Sequence, residues 1–275
     1  MDGLDDVEHV TVDTPFGPPS DRYVLGTLGG RRLAFLPRHG VGHRLLPSEL
    51  NFRANIHGFK ELGADAIVSL SAVGSLRDEI RPGNVVVPDQ FIDRTRGRIS
   101  TFFGGGVVGH VSFADPFCPD MSAVAAGAAR EAGATVHAGG TYVCMEGPQF
   151  STRAESHLYR SWGGDVIGMT NLQEAKLARE AEICFATLAM ATDYDCWRGD
   201  GESVDIDDVL AVLAANSELA RRAVAVVAGR VPGDRGCGCR GALDGAIITD
   251  PASIPPSRRD ELDVVAGRVL RRGNE

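Results

Sequence analysis

Residues 168–197 read GMTNLQEAKLAREAEICFATLAMATDYDCW. Residues 171–181 predict a helix, and residues 183–192, a near-uncharged run, predict a buried strand. A short strand over residues 165–168 precedes them, so the segment is a strand–helix–strand unit. It ends on Asp193-Tyr194-Asp195, which puts two carboxylates just beyond a buried strand.

The alternation continues outward from this unit. Residues 23–28 and 32–36 flank Gly29-Gly30 as a hairpin. Residues 51–62 predict a helix stopped at Gly63, and residues 121–132 another stopped at Gly133. Strands are expected over 66–70, 84–92 and 134–145. Thr152-x-x-Glu155 is a capping box for a helix over 152–162. A long helix is expected over 205–229, with Ile206, Val209, Leu210 and Leu213 as its apolar stripe. Residues 230–240, rich in Gly, Arg and Cys, predict a loop, and the C-terminal segment predicts a last helix. The Gly-rich residues 100–109 predict a mobile surface loop. With no repeat and no linker before residue 229, the pattern predicts one α/β domain over residues 1–275 with a mostly parallel sheet.

Composition narrows the partners. Hydrophobic residues make up 43% and charged residues 24%, and the net charge is −9. That balance excludes a nucleic-acid footprint. An acidic chain that handles an anion must gather positive charge locally, which directs attention to Arg and His in loops. No apolar run approaches the ~20 residues of a membrane span. The acidic start MDGLDDVEHV has no signal-peptide core, so the cytoplasm is the expected location. Of six cysteines, the four outside Cys237-Gly238-Cys239 lie among apolar neighbours and are expected to be reduced; for Cys237 and Cys239 reduced thiols are favoured over a strained local disulfide. Cys237-Gly238-Cys239 is too tight for a usual Cys-x-x-Cys zinc site, and His57, His110, His137 and His157 lack ligand spacing, so no metal site is expected.

Five short segments sit where strands end, the usual position of ligands in open α/β sheets. Pro37-Arg38-His39-Gly40 offers donors for a phosphate. Ser71-Ala72-Val73-Gly74-Ser75 is small enough for backbone N–H groups to approach a ligand. Glu146-Gly147-Pro148-Gln149-Phe150-Ser151 carries an aromatic ring that could stack on a base. Gly168-Met169-Thr170-Asn171 opens a helix whose N-terminus suits an anion, unless Thr170-x-x-Gln173 is a plain cap. Asp193 and Asp195 could read N7 and N6 of an adenine if burial or mutual repulsion raises one pKa. Each segment alone also reads as a turn, a cap or core.

Together and in this order, the segments resemble the 5′-methylthioadenosine phosphorylase branch of the purine nucleoside phosphorylase family. The matching stretches are VDTPFGPPSD, FLPRHGVGHRLLPSELNFRANI, SAVGSLRDEIRPGNVVVPDQFIDRT, EGPQFSTRAES, GMTNLQEAKLAREAEICFATLAMATDYDCW and CGCRGALDGAIITD. The resemblance implies a single-domain α/β fold with a mixed, partly barrel-closed sheet flanked by helices. It implies a homotrimer that binds purine nucleoside and phosphate, with phosphate as co-substrate and no cofactor or metal. Matched by motif, Arg38, His39, Ser71, Ala72 and Thr170 would hold phosphate. Phe150 and Met169 would touch base and sugar, and Asp193 and Asp195 would read adenine, with Asp193 protonating N7. Ile206, Val209 and Leu210 would line an apolar pocket for the methylthio group; their spacing puts them on one helix face, which suits plain core equally. His110 would reach the 5′ pocket of a neighbouring subunit.

The resemblance also marks a departure. Family members open with a strand and a loop of the type I-G-G-(S/T)-G that holds phosphate, whereas Met1-Asp2-Gly3-Leu4-Asp5 looks like the segment just after it. The expectation is a sheet without that first strand, and a natural start upstream. Two other functions stay open at this point. One is phosphorolysis of 6-oxopurine or 5′-methylthioinosine nucleosides, against which the aspartates argue. The other is nucleoside binding with impaired catalysis.

Overall fold

The computed structural model describes residues 3–198 and 206–271, and of residues 206–211 and 213 the backbone alone. Its strands are β1 (Asp5–Val10), β2 (Tyr23–Leu28), β3 (Arg31–Phe35), β4 (Ala66–Ser75), β5 (Val85–Val87), β6 (Gln90–Arg94), β7 (Val136–Ala138), β8 (Thr141–Met145), β9 (Val166–Gly168) and β10 (Cys184–Asp193). Its helices are α1 (Phe52–Glu61), α2 (Pro119–Glu131), α3 (Arg153–Ser161), α4 (Asn171–Glu180), α5 (Ile206–Arg230) and α6 (Pro256–Leu270).

The strands form a three-stranded antiparallel sheet, β1-β2-β3, and a seven-stranded mixed sheet in the order β6-β8-β9-β4-β10-β5-β7, curled into a half-barrel. β4 and β10 run parallel from Ala66↔Cys184 to Gly74↔Asp193. β10 is buried at every position but Asp193, and its side chains alternate between faces, as strand geometry requires. Cys184, Ala186 and Leu188 pack with Met121, Ala125 and Ala129 of α2 and Ala223 and Val227 of α5. Phe185 joins Leu177 of α4, Phe52 of α1 and Leu262 of α6 on the other side.

Two strands expected from sequence are broken. The run over 84–92 divides at Pro88-Asp89 into β5 and β6, because proline has no N–H for a ladder. The run over 134–145 divides at Gly139-Gly140, where φ is 87° and 127°, values open to glycine. The first halves, β5 and β7, pair at one end of the sheet, and the second halves, β6 and β8, pair at the other. These two breaks let one stretch of chain serve both ends of the curl. The seven-stranded sheet is therefore mixed yet still mostly parallel, as expected: β10–β5 and β4–β9 are antiparallel, and the other four pairings are parallel.

Residues 100–109 also differ from expectation. Phe102 and Val107 are buried, and the Glu180 carboxylate accepts from Phe102 N and Thr101 Oγ1, both at 2.7 Å. The segment is tethered to α4 rather than loose on the surface. β1, exposed along most of its length, carries no hydrophobic alternation that sequence reading could detect.

Candidate functional site

β4 pairs with β10 along its length but meets β9 only at Gly74 and Ser75. Beside the remaining edge lies a cavity of about 730 Å³, lined in part by Phe35, Arg38, His39, Ile67, Ser69 and Glu174. It reaches Arg38 and His39 after β3 but follows β4 only as far as Leu70, so Ser71, Ala72 and Thr170 are not among its lining residues. It does not reach Asp193, Phe150 or Met169.

Arg38 points into a buried polar network. Its Nε donates to Glu174 Oε1 at 2.5 Å, Nη1 to the Leu70 carbonyl at 2.8 Å and Nη2 to Ser69 Oγ at 2.6 Å. Ser69 Oγ donates to Glu174 Oε2, and Asn171 Nδ2 donates to Ser69 Oγ. Thr187 of β10 donates to Asn171 Oδ1 at 2.8 Å. Nη2 also contacts Glu174 Oε2, so four of the five guanidinium N–H groups have partners and one on Nη1 remains. His39 Nδ1 lies 2.8 Å from the Leu45 carbonyl and therefore carries its hydrogen, and the ring stacks on His43 with centroids 4.3 Å apart. Burial holds its pKa below the ordinary histidine value, so it is a neutral imidazole with Nε2 as acceptor.

Ser71 lies two residues beyond Ser69, on the same face of β4. It is buried, with Oγ 3.0 Å from the Tyr142 hydroxyl, while Ala72 is exposed. The antiparallel register Gly74↔Ile167 sends the chain beyond Gly168 back along β4. Thr170 is buried at the N-cap of α4, and its hydroxyl makes no cap bond. The alternative reading of Thr170-x-x-Gln173 as a plain cap is not realised, since Gln173 Nε2 donates to Thr95 instead.

The base-side candidates gather at the ends of β8, β9 and β10. Met169 packs over Gly147 so closely that a Cβ there would lie 2.4 Å from Met169 Sδ. Cys196 Sγ donates to the Ser151 carbonyl at 3.1 Å, which brings the Phe150-Ser151 turn against Asp195. Phe150 itself is 75% exposed. Asp193 Oδ1 accepts from Asp195 N, and Oδ2 accepts from Thr192 Oγ1, both at 2.7 Å. Asp195 is buried with Oδ2 unpartnered. Burial, with help from the neighbouring Asp193 charge, raises its pKa above the usual carboxylate value. The two aspartates thus differ: one half-exposed and hydrogen-bonded, one buried and biased to keep a proton.

His110 is exposed, and its backbone N–H donates to the Ala246 carbonyl. The backbone of α5 begins at Ile206, but the side chains of Ile206, Val209 and Leu210 lie outside the described residues. Several residues at the site escaped sequence reading. Glu174 lies on one face of α4 with Asn171, at i, i+3 spacing, and a polar residue on a buried helix face is the available signal. Arg98, with 3% of its side chain exposed, pairs with Glu146 at 3.0 Å and donates to the carbonyls of Glu146 and Met169, tying two site loops together. Nothing in its local sequence marks it.

The cysteines, which lack ligand spacing in sequence, are also rearranged by the fold. Cys118, Cys184, Cys237 and Cys239 come together, with all four Sγ atoms within 4.8 Å of one another.

The half-barrel thus carries a buried arginine network beside the end of β3 and a split carboxylate pair at the end of β10. The chain belongs to the phosphorylase superfamily, whose family model matches residues 2–228. It is similar to one particular kind within that superfamily. It is 60% identical to the S-methyl-5′-thioadenosine phosphorylase of Koribacter versatilis, over 98% of this chain and 92% of that protein. It is 58% identical to that of Geobacter sulfurreducens, covering 98% and 95%. Among solved structures, a methylthioadenosine phosphorylase from an antarctic soil metagenomic library superposes with a TM-score of 0.88 at 47% identity, covering 96% of this chain and 94% of that one. The Schistosoma mansoni methylthioadenosine phosphorylase in complex with adenine gives 0.85 at 34% identity, covering 90% and 95%.

Proposed function

We propose that the chain cleaves the glycosidic bond of 5′-methylthioadenosine with inorganic phosphate, releasing adenine and 5-methylthioribose 1-phosphate. It is a pentosyltransferase. The observation that carries this reading is the asymmetry of Asp193 and Asp195 beside Gly74. Adenine leaves a ribosyl centre readily only if N7 gains a proton, because the leaving base otherwise builds negative charge. Asp195, biased by burial towards its neutral form, is the resting place of that proton. Asp193, half-exposed, accepts from N6. Sequence matching alone made Asp193 the acid, and the burial of Asp195 motivates the reversal.

Phosphate is the co-substrate, and no cofactor enters the reaction. Arg38 offers its remaining Nη1–H, Thr170 its uncapped hydroxyl and the start of α4 its free N–H groups. Ser71 and Ala72 present backbone beside them. Neutral His39 contributes Nε2 as an acceptor for a protonated phosphate oxygen. Proximity supplies much of the rate, since phosphate is a weak nucleophile. Phe150 and Met169 cover base and sugar, and Ile206, Val209 and Leu210 receive the methylthio group.

The active unit is a homotrimer in the cytoplasm. Exposed Val108 and Ile248 are joined by a backbone hydrogen bond two residues from exposed His110. That apolar edge suits a neighbouring subunit, whose 5′ pocket His110 would enter. No helix among the described residues is long and apolar enough to cross a membrane.

The test is phosphate-dependent release of adenine from methylthioadenosine, with adenosine and inosine in parallel and native mass spectrometry of the same sample. Turnover of methylthioadenosine ahead of both others supports the reading. Preference for inosine, or nucleoside binding without phosphate-dependent turnover, overturns it.

A further inference from the structure

Cys118 is the N-cap of α2, Cys184 opens β10, and Cys237 and Cys239 flank Gly238 in the loop after α5. Three are fully buried, Cys237 is partly so, and none is in a disulfide. Four thiol sulfurs within 4.8 Å of one another, with Cys184 and Cys237 at 3.4 Å, approach the edges of a tetrahedron around one ion. With a Zn–S bond of ~2.3 Å, a regular tetrahedral site has sulfurs about 3.8 Å apart.

The surroundings favour thiolates. Cys118 stands at the start of a helix, where free N–H groups and the helix dipole stabilise negative charge. The side chain of Arg235 is 1% exposed and pairs with Asp65 at 2.6 Å. Its Nε is buried without a hydrogen-bond partner, close by in sequence to Cys237. A tetrathiolate site with a divalent ion keeps a net negative charge, and this guanidinium would offset it. The backbone also holds the ligands in place: Cys118 N donates to the Phe185 carbonyl at 2.8 Å, and Cys237 N donates to Asp120 Oδ2 at 3.1 Å.

We propose that Cys118, Cys184, Cys237 and Cys239 bind one zinc ion in a closed structural site. Each thiol gives up its proton on binding, and four protein ligands leave no open position for water or substrate. The ion fastens the loop after α5 to the start of α2 and to the buried end of β10. The site is separate from the aspartates, which leave β10 at its opposite end. Sequence spacing conceals it, because only the Cys-x-Cys pair is local.

The test is elemental analysis of the full chain purified without chelator or added metal, with thiol counting after unfolding in chelator. The expected result is about one zinc per chain, six titratable thiols once the metal is removed, and zinc release by a mercurial reagent. A Cys237→Ser/Cys239→Ser variant should fall to background zinc, while Cys196→Ser keeps the wild-type amount. Cobalt in place of zinc should give the charge-transfer and d–d bands of a tetrahedral thiolate site, a readout that needs no variant to fold. Metal-free protein with six thiols overturns the proposal, as does iron in place of zinc. Fewer than six thiols, showing that these cysteines are joined as disulfides, overturns it too.

Discussion

The guanidinium of Arg38 grips the carboxylate of Glu174 through two donors, Nε at 2.5 Å and Nη2 at 3.3 Å. The pair joins the end of β3 to α4, with 20% and 11% of the side chains exposed. Removing one partner of a buried pair costs about 3–5 kcal/mol, whereas replacing both with apolar groups is often near neutral. Arg38→Met should therefore lower the Tm and raise the KM for phosphate ~10-fold or more. Arg38→Met/Glu174→Leu should recover most of the Tm and none of the phosphate affinity. Recovery of both would show that Arg38 is purely structural.

The proton assignment makes a pH prediction. Asp195 must be protonated to act as the acid, and its pKa is raised. The kcat/KM for methylthioadenosine should fall as pH rises through that raised value. Asp195→Asn should lose ~2 orders of magnitude, the scale for a general acid, and should also lose that alkaline fall. Asp193→Asn should lose adenine selectivity, with inosine-type substrates affected less. If the alkaline fall survives in Asp195→Asn and disappears in Asp193→Asn, the proton belongs to Asp193.

Gly74 faces both aspartates. A Cβ there would lie 3.0 Å from Asp193 Oδ1, 3.1 Å from Ile167 Cγ2 and 3.3 Å from Asp195 Cβ. Gly74→Ala should displace the carboxylates by a few tenths of an ångström and cut kcat/KM about 10-fold, since catalysis is sensitive to small misplacements. Phosphate affinity should change little. An alanine variant with wild-type kinetics would mean that the aspartates do not need their present positions.

Glu180 gives a stability signature. Burial pushes its pKa up to about 7 from the usual 4.5, against the hydrogen bonds from Phe102 and Thr101. The folded chain thus binds this proton more tightly than the unfolded one. The stabilisation is complete below the unfolded value and is lost as pH rises through about 7. A shift of that size corresponds to roughly 3 kcal/mol. Glu180→Gln removes the dependence, so it should melt higher than wild type by several degrees near pH 8 and equally near pH 5. An equal offset at both pH values would mean that Glu180 does not titrate with folding.

What sequence could show is set by how local each signal is. The strand–helix–strand unit around α4 is legible because its helix and strand follow one another and its strand is buried end to end. The Thr152–Glu155 cap is legible because both partners lie within one turn. The division of 84–92 and 134–145 was marked by Pro88 and Gly139-Gly140, yet their effect depends on pairings at opposite ends of the sheet, which no local pattern encodes. Glu174 was hidden for the same reason: its partner lies 136 residues away. The difference between Asp193 and Asp195 is likewise one of burial, which two identical residue types cannot reveal.

The pairing of β4 with β10 also orders events during synthesis. Ala66 and Cys184 are register partners, 118 residues apart (184 − 66). At ~5–20 residues per second, β4 waits about 6–24 s on the ribosome before its partner strand is even made. Through that interval Ile67, Val68 and Leu70 form an apolar ribbon with open hydrogen-bonding edges, the kind of segment that nascent-chain chaperones cover and that crowded overexpression drives into aggregates. Supplying such a chaperone, or lowering the expression level, should raise the soluble yield of this chain more than any change to its active-site residues, whereas slower elongation should lower it.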